Sequence, residues 1–236
     1  MRAIYCPKSF EELERAQSID YQGEKLSHLL NVIRIKENES VLILNGKGSG
    51  INCVAKNVKK RSLSLEKVGL ESRSQTNSLS VGIARLKKDA MSLCLKMAVE
   101  FGVEHIYIFD SERSNRDKGQ LSQDKMNKYL EGALEQSNNF FLPRLETGLS
   151  IEELPYQDFQ NVFVLHITSS QKKTQLNKGR NLLLIGPEGG FTEEEFSQLI
   201  ELKQIQLLVR EGPIMRAPTA LAWGVGYSES FLSPKL

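Results

Sequence analysis

The strongest constraint on this chain is the alternation, from residue 79 onward, of apolar strand-like runs with amphipathic helical stretches. Residues 162–167 and 182–185 are near-continuous apolar runs, as expected of strands covered on both faces. Residues 79–83, 105–109 and 206–209 read as further strands. Between them, residues 87–101 bring Ala90, Cys94, Met97, Ala98 and Phe101 to one helical face. Residues 121–137 do the same with Met126, Tyr129, Leu130, Ala133 and Leu134. A helix over 193–202 and a last one starting near Pro218 complete the pattern. Strand and helix in alternation predict an α/β fold, with a parallel sheet covered on both sides.

The first seventy residues follow a different rule. Residues 41–44 run into Asn45-Gly46-Lys47-Gly48-Ser49-Gly50, a turn tolerant of positive φ, and 51–54 lead out again. Residues 62–65 alternate with period two, and Leu26, Leu29, Leu30 and Ile33 recur at helical spacing in a short helix over 23–32. Short strands with glycine turns predict a compact β-barrel. The polar stretch 71–78 has no apolar anchor and reads as a linker, which divides the chain into domains 1–72 and 79–236.

Charge is distributed unevenly between the two. Between Glu39 and Glu66 there is no acidic residue, whereas Lys47, Lys56, Lys59, Lys60 and Arg61 all fall there. A local basic field of this kind suits RNA, and equally a solvated strand-and-turn surface. The three cysteines are scattered without a Cys-x-x-Cys, and the three histidines are equally dispersed. Neither a disulfide framework nor a His/Cys metal site has a starting point, and free thiols in a reducing cytoplasm are expected. No apolar run approaches the ~20 residues of a membrane helix, and the N-terminus has no apolar core of a secretory signal.

In open α/β sheets, ligands bind beyond the carboxyl ends of the strands. Three loops fall there: 165–170, 186–192 and 210–219. In the second, a buried strand runs straight into Gly186-Pro187-Glu188-Gly189-Gly190, then into a helix announced by Thr192 and Glu195, a capping box. Glycines let backbone approach a ligand closely, and they also make ordinary tight turns. The spacing is neither a dinucleotide fingerprint nor a P-loop, and Gly46–Gly50 fails the same tests and reads as a hairpin turn. The third loop carries two arginines and two prolines; Arg216 precedes the helix, where the dipole offers a cation nothing. Trp223, on the last helix, reads as core or interface.

Together, residues 182–195 (LLLIGPEGGFTEEE) and 213–221 (PIMRAPTAL) resemble the paired signature of the RsmE family. That family comprises bacterial methyltransferases acting on N3 of a uridine in small-subunit ribosomal RNA, within the SPOUT superfamily. Residues 27–34 are similar to its His-Leu-x-x-Val-Leu-Arg segment, 88–102 to the first helix of its catalytic domain, and 111–114 and 135–137 to two further short segments. The chain departs from the pattern at Pro218 (usually Glu), at Asn138-Asn139 (usually Gly-Arg), at Ile167 (usually Pro) and at Arg210-Glu211-Gly212 (usually Leu-Gly).

The resemblance implies a trefoil-knotted SPOUT domain after a PUA-like RNA-binding barrel, working as a homodimer through the first and last helices of the second domain. It implies S-adenosylmethionine held by Leu165, His166, Ile185, Gly186, Pro187, Glu188, Gly190, Leu208, Gly212, Ile214, Met215, Thr219 and Ala220, with Arg216 catalytic. Arg34, Lys56, Lys59, Lys60, Arg61 and Arg113 would meet RNA, either naked or in the assembled small subunit, with no metal and no membrane involved. Two alternatives stay open: an RNA-binding relative that has lost activity, for which Pro218 speaks, and another nucleotide-dependent α/β enzyme.

Overall fold

The computed structural model describes the chain except residues 1, 23–25, 27, 76–77, 116–119, 167–178, 211 and 233–236, and the side chains at 28, 32, 33, 166, 231 and 232. The His166 side chain, Glu211, Ile167 and much of the first loop therefore lie outside the described residues. The chain divides into two compact units, Met1–Gln75 with Glu131–Leu142, and Thr76–Leu130 with Pro143–Leu236.

The first unit is a mixed five-stranded sheet in the order β1-β3-β4-β5-β2. Its strands are β1 (Arg2–Tyr5), β2 (Ser18–Tyr21), β3 (Ser40–Leu44), β4 (Ser49–Lys59) and β5 (Ser62–Ser72). β1 runs parallel to β3 and the other pairs are antiparallel. Among the described residues no ladder joins the edge strands β1 and β2, so the expected barrel is a sheet not closed by hydrogen bonds. Helix α1 (Pro7–Arg15) has Pro at its first turn and buries Phe10 and Leu13, one turn apart, leaving Glu11, Glu12, Glu14 and Arg15 to solvent. Phe10 and Leu13 join Ile4, Tyr21, Val41, Ile43, Ile51 and Leu65 in one core. Of the helix expected over 23–32, Leu26 is α-helical and His28–Ile33 form a π-helical turn, while residues 23–25 and 27 lie outside the described residues.

The hairpin between β3 and β4 turns on Asn45, whose Oδ1 accepts from the backbone N–H groups of Lys47 and Ser49. Gly48, at φ +96°, leaves room for Phe141: a Cβ there would stand 2.7 Å from its ring. Residues 131–142 complete this unit. Gly48 N–H donates to the Phe140 carbonyl, Leu142 N–H to Gly46, and the Arg73 guanidinium lies 4.1 Å over the Phe140 ring. The Tyr5 N–H donates to Glu135 Oε1 at 2.9 Å. Asn138 takes φ +51° after the helix that carries Glu135, and Asn139 Oδ1 accepts from Phe141 N–H, so the two asparagines form the exit from that helix.

The second unit is a six-stranded parallel sheet in the order β11-β9-β10-β6-β7-β8. It comprises β6 (Leu79–Ala84), β7 (His105–Asp110), β8 (Arg144–Ser150), β9 (Asn161–His166), β10 (Asn181–Ile185) and β11 (Ile205–Val209). Its helices are α2 (Lys88–Glu100), the first half of α3 (Gln123–Ser137), α4 (Glu193–Glu201) and α5 (Ala217–Leu232). β10 is buried along its whole length, the burial that its unbroken apolar run predicts. The Arg85 guanidinium grips Asp110 with two bonds, at 2.6 and 3.0 Å, across the ends of β6 and β7. Burial pushes the Cys94 thiol up to about 12 and that of Cys53 up to about 11, so both are protonated and inert at neutral pH.

Candidate active site

Three adjacent strands, β11, β9 and β10, deliver their carboxyl ends to one pocket of about 530 Å³, within the range of small-molecule sites. Leu165 comes from β9, Leu184 and Ile185 from β10, and Leu208 from β11. The second loop supplies Gly186, Pro187, Glu188, Gly190, Phe191 and Thr192, and α4 adds Glu193 and Phe196. The third loop closes the pocket with Arg210, Gly212, Pro213, Ile214, Met215 and Arg216, and α5 adds Ala217 and Ala220.

The second loop is fixed by side chains on both flanks. Glu195 forms the expected capping box: Thr192 N–H donates to its carboxylate at 2.9 Å and its own N–H donates to Thr192 Oγ1 at 3.2 Å. The same carboxylate, nearly buried, accepts from Glu112 N–H at 2.8 Å and Ser111 Oγ at 3.3 Å. Glu188 Oε1 accepts from the backbone N–H of Lys87, the N-cap of α2, at 3.2 Å. Arg113, expected to face RNA, donates from Nη1 to the carbonyls of Gly189 and Phe191 at 3.0 and 3.4 Å.

Two guanidinium groups line the pocket, in different states. Arg210 donates to the Pro213 carbonyl at 3.2 Å and packs on Gly212, where a Cβ would meet its Nη1 at 3.0 Å. Gly212 is at φ +131°, a conformation open to glycine, so the shifted glycine of this chain admits the arginine that precedes it. Arg216 is exposed, and among the described residues its side chain makes no hydrogen bond or ion pair. It is the cation available to a ligand.

The pocket thus gathers Leu165, Ile185, Gly186, Pro187, Glu188, Gly190, Leu208, Gly212, Ile214, Met215, Arg216 and Ala220. Thr219 is exposed and does not line it, because Ala217 and Ala220, one turn apart, occupy the inward face of α5. Phe191 and Phe196 were not anticipated, although the sequence carries a signal for them. They hold the positions just before the cap and four after it, those of a hydrophobic staple around the Thr192 capping box. In the first unit, Arg34 (φ +58°), Lys59, Lys60 and Arg61 are exposed, the last three at the end of the β4–β5 hairpin, and Lys56 Nζ donates to Asn38 Oδ1.

A family model described as an RNA methyltransferase domain matches residues 72–227, which include all three loops. The chain is 26% identical over 239 residues to ribosomal RNA small subunit methyltransferase E of Bacillus subtilis, covering 93% of each. It is 27% identical over 226 residues to ribosomal RNA small subunit methyltransferase E 2 of Borreliella burgdorferi, covering 87% of this chain and 88% of that one. In structure it is similar to a ribosomal RNA small subunit methyltransferase E from Neisseria gonorrhoeae bound to S-adenosyl methionine. The TM-score there is 0.80 over 98% of both chains at 22% identity, a likeness of fold. A family model spanning all six strands of the parallel sheet, joined to the paired loop signature at the strand ends, means that the chain belongs to the RNA methyltransferase domain family and, within it, to the RsmE type.

Proposed function

We propose that this chain binds S-adenosylmethionine in the pocket beyond β9, β10 and β11 and methylates N3 of a uridine in small-subunit ribosomal RNA. The observation that carries this reading is the uncommitted Arg216 at the mouth of a largely apolar, glycine-walled pocket. The pocket fits the cofactor: its volume and apolar side chains suit an adenine, and loop backbone supplies polar groups without a charged clamp. When bound, S-adenosylmethionine supplies the electrophilic methyl group. Uridine N3 is a weak acid; if it titrates roughly two units above working pH, ionising it costs about 2.7 kcal/mol. Arg216 offsets this by donating to the uracil carbonyl oxygens, where negative charge grows as the N3 proton leaves. The target base must be unpaired or splayed out, since pairing hides N3.

The first unit is the RNA-docking module, with Lys59, Lys60 and Arg61 on phosphates. The molecule works as a homodimer through α2 and α5, where Trp223 stacks on Tyr227 at 5.0 Å and Leu93 is half-exposed. Small-subunit ribosomal RNA, or the assembled subunit, as substrate puts the enzyme in the cytoplasm. Among the described residues no helix is long and apolar enough to cross a membrane. The test is transfer of tritiated methyl from S-adenosylmethionine to small ribosomal subunits that lack the modification, with the label mapped to uridine N3. Subunits that stay unlabelled with enzyme in stoichiometric excess overturn the proposal.

A further inference from the structure

The turn after β7 and the second pocket loop are joined by two side chains reaching in opposite directions. Glu195, from α4, reaches to Ser111 and Glu112; Arg113, from the turn, reaches back to the loop. The turn is itself rigid, with Ser111 N–H donating to Ser114 Oγ and Ser114 N–H to the Ser111 carbonyl. The stem of Arg113 lies along Gly189, where a Cβ would sit in ordinary van der Waals contact with its Cδ at 3.4 Å and its Cβ at 3.5 Å.

The two carbonyls that Arg113 holds belong to two particular peptide planes. In a trans peptide, C=O and N–H point opposite ways. The Gly189–Gly190 plane gives its oxygen to Arg113 and its N–H to the Pro187 carbonyl at 2.9 Å. The Phe191–Thr192 plane gives its oxygen to Arg113 and its N–H to Glu195. Each plane is therefore pinned at both ends, and Gly190, Phe191 and Thr192 all line the pocket. With the arginine removed, each plane keeps one tether and can swing about it. Hydrogen bonds with a charged partner are about twice as strong as neutral ones, so Arg113 is the stronger tether of the Gly189–Gly190 plane, while the Phe191–Thr192 plane has a charged partner at each end.

We propose that Arg113 is a positioning residue for the cofactor pocket, which fixes the orientation of the loop peptides that meet S-adenosylmethionine, and not a ligand for RNA phosphate. This rests on the cofactor assignment above, and its test separates the two. Hydrogen exchange on the full-length protein without cofactor reads the clamp alone. Arg113→Ala should speed exchange at the Gly190 and Thr192 amides about tenfold, equivalent to ~1.4 kcal/mol, while the amides of β10 keep their protection. Arg113→Lys, with one donor group in place of a fork, should recover part of it. Calorimetry should then show S-adenosylmethionine binding weakened about tenfold in Arg113→Ala. The KM for cofactor should rise while kcat at saturation, and the salt dependence of RNA binding, stay as in the parent. Unchanged exchange at Gly190 and Thr192 overturns the clamp. A shallower RNA salt slope with unchanged cofactor affinity overturns it in favour of a phosphate contact. If the parent protein itself binds no S-adenosylmethionine, the cofactor assignment fails, and the exchange result still decides the role of Arg113.

Discussion

Glu188 Oε1 accepts the backbone N–H of Lys87 at 3.2 Å, so a carboxylate from the pocket loop closes the N-terminus of α2. Lys87 provides no side-chain cap of its own, and its backbone N–H, one of the four amides left unpaired at this end of the helix, would otherwise depend on water. Replacing Glu188 with Ala should cost about 1 kcal/mol, in the range of a lost helix cap, and lower Tm by roughly 2–4 °C. Glu188→Gln keeps the acceptor oxygen and should recover most of that loss. Thermal unfolding of the two variants beside the parent checks it, and an alanine variant as stable as the parent would refute the cap.

Arg216→Ala should slow the methyl-transfer step by about a hundredfold to a thousandfold, roughly 2.7–4 kcal/mol, by analogy with the loss of one oxyanion donor. The loss should appear in kcat, with cofactor affinity little changed, because the guanidinium acts where charge develops. Raising the pH should restore part of the rate, as hydroxide then helps to ionise N3. A collapse of cofactor binding with no rescue at high pH would instead make Arg216 a loop-holding residue.

Gly212→Ala tests how the third loop is shaped. A side chain at φ +131° is strained by about 1–3 kcal/mol, and its Cβ would press on the Arg210 guanidinium. The loop must then move away from the pocket. S-adenosylmethionine affinity should fall by about tenfold or more, while β11 keeps its hydrogen-exchange protection. Unaltered affinity would mean that Gly212 matters only for local backbone.

Changing Lys59, Lys60 and Arg61 together to Ala should weaken RNA binding and lower the salt slope by up to ~2, three single-strand phosphate contacts at about 0.7 each. All three are exposed, so the fold should survive. An unchanged slope would move the RNA footprint off this hairpin.

His105 provides a pH signature of folding. Burial above all, then the Arg144 and Arg180 charges, lowers its pKa from 6.5 to about 4. The Glu146 carboxylate, 3.6 Å away and half-exposed, does not reverse this. Between pH 6.5 and 4 the unfolded chain therefore binds more protons than the folded one, and stability falls as the pH is lowered through that window. The contribution is complete above about pH 6.5. His105→Phe preserves the stacking on Tyr107, at 4.0 Å, and removes the titration. Urea unfolding at pH 5 and pH 7 should show a smaller difference for the variant than for the parent.

Much of the parallel-sheet unit is legible in the sequence, because its central strands are buried on both faces and need unbroken apolar runs. Asn181–Ile185 shows this, and so does Asn161–Val164. β8 escaped because it is an edge strand: exposed Arg144, Glu146 and Gly148 alternate with half-buried neighbours, and Gly148 sits at φ +84°. α1 escaped because it has nine residues with two large buried anchors, too few to set a period. The three pocket loops were legible from the strand ends and the glycines. Phe196 has only the staple spacing around the Thr192 cap as its signal, since it enters the site from a helix and not from a loop. The reach of Arg113 to the second loop was not legible, because its partners there are backbone oxygens, and no side-chain pattern announces a carbonyl.

The contribution of residues 131–142 to the first unit bears on the order in which the protein is made. The Tyr5 amide finds its partner on Glu135, 130 residues later. A ribosome that has translated the first 75 residues has made every strand of that unit, yet Gly46, Gly48 and Arg73 still lack the segment that seats on them. The unit that begins first therefore waits for more than a third of the other to be synthesised. A gene fragment cut at the polar linker would encode every strand without the segment that seats on them, and transplanting this module into another protein would take two splices instead of one.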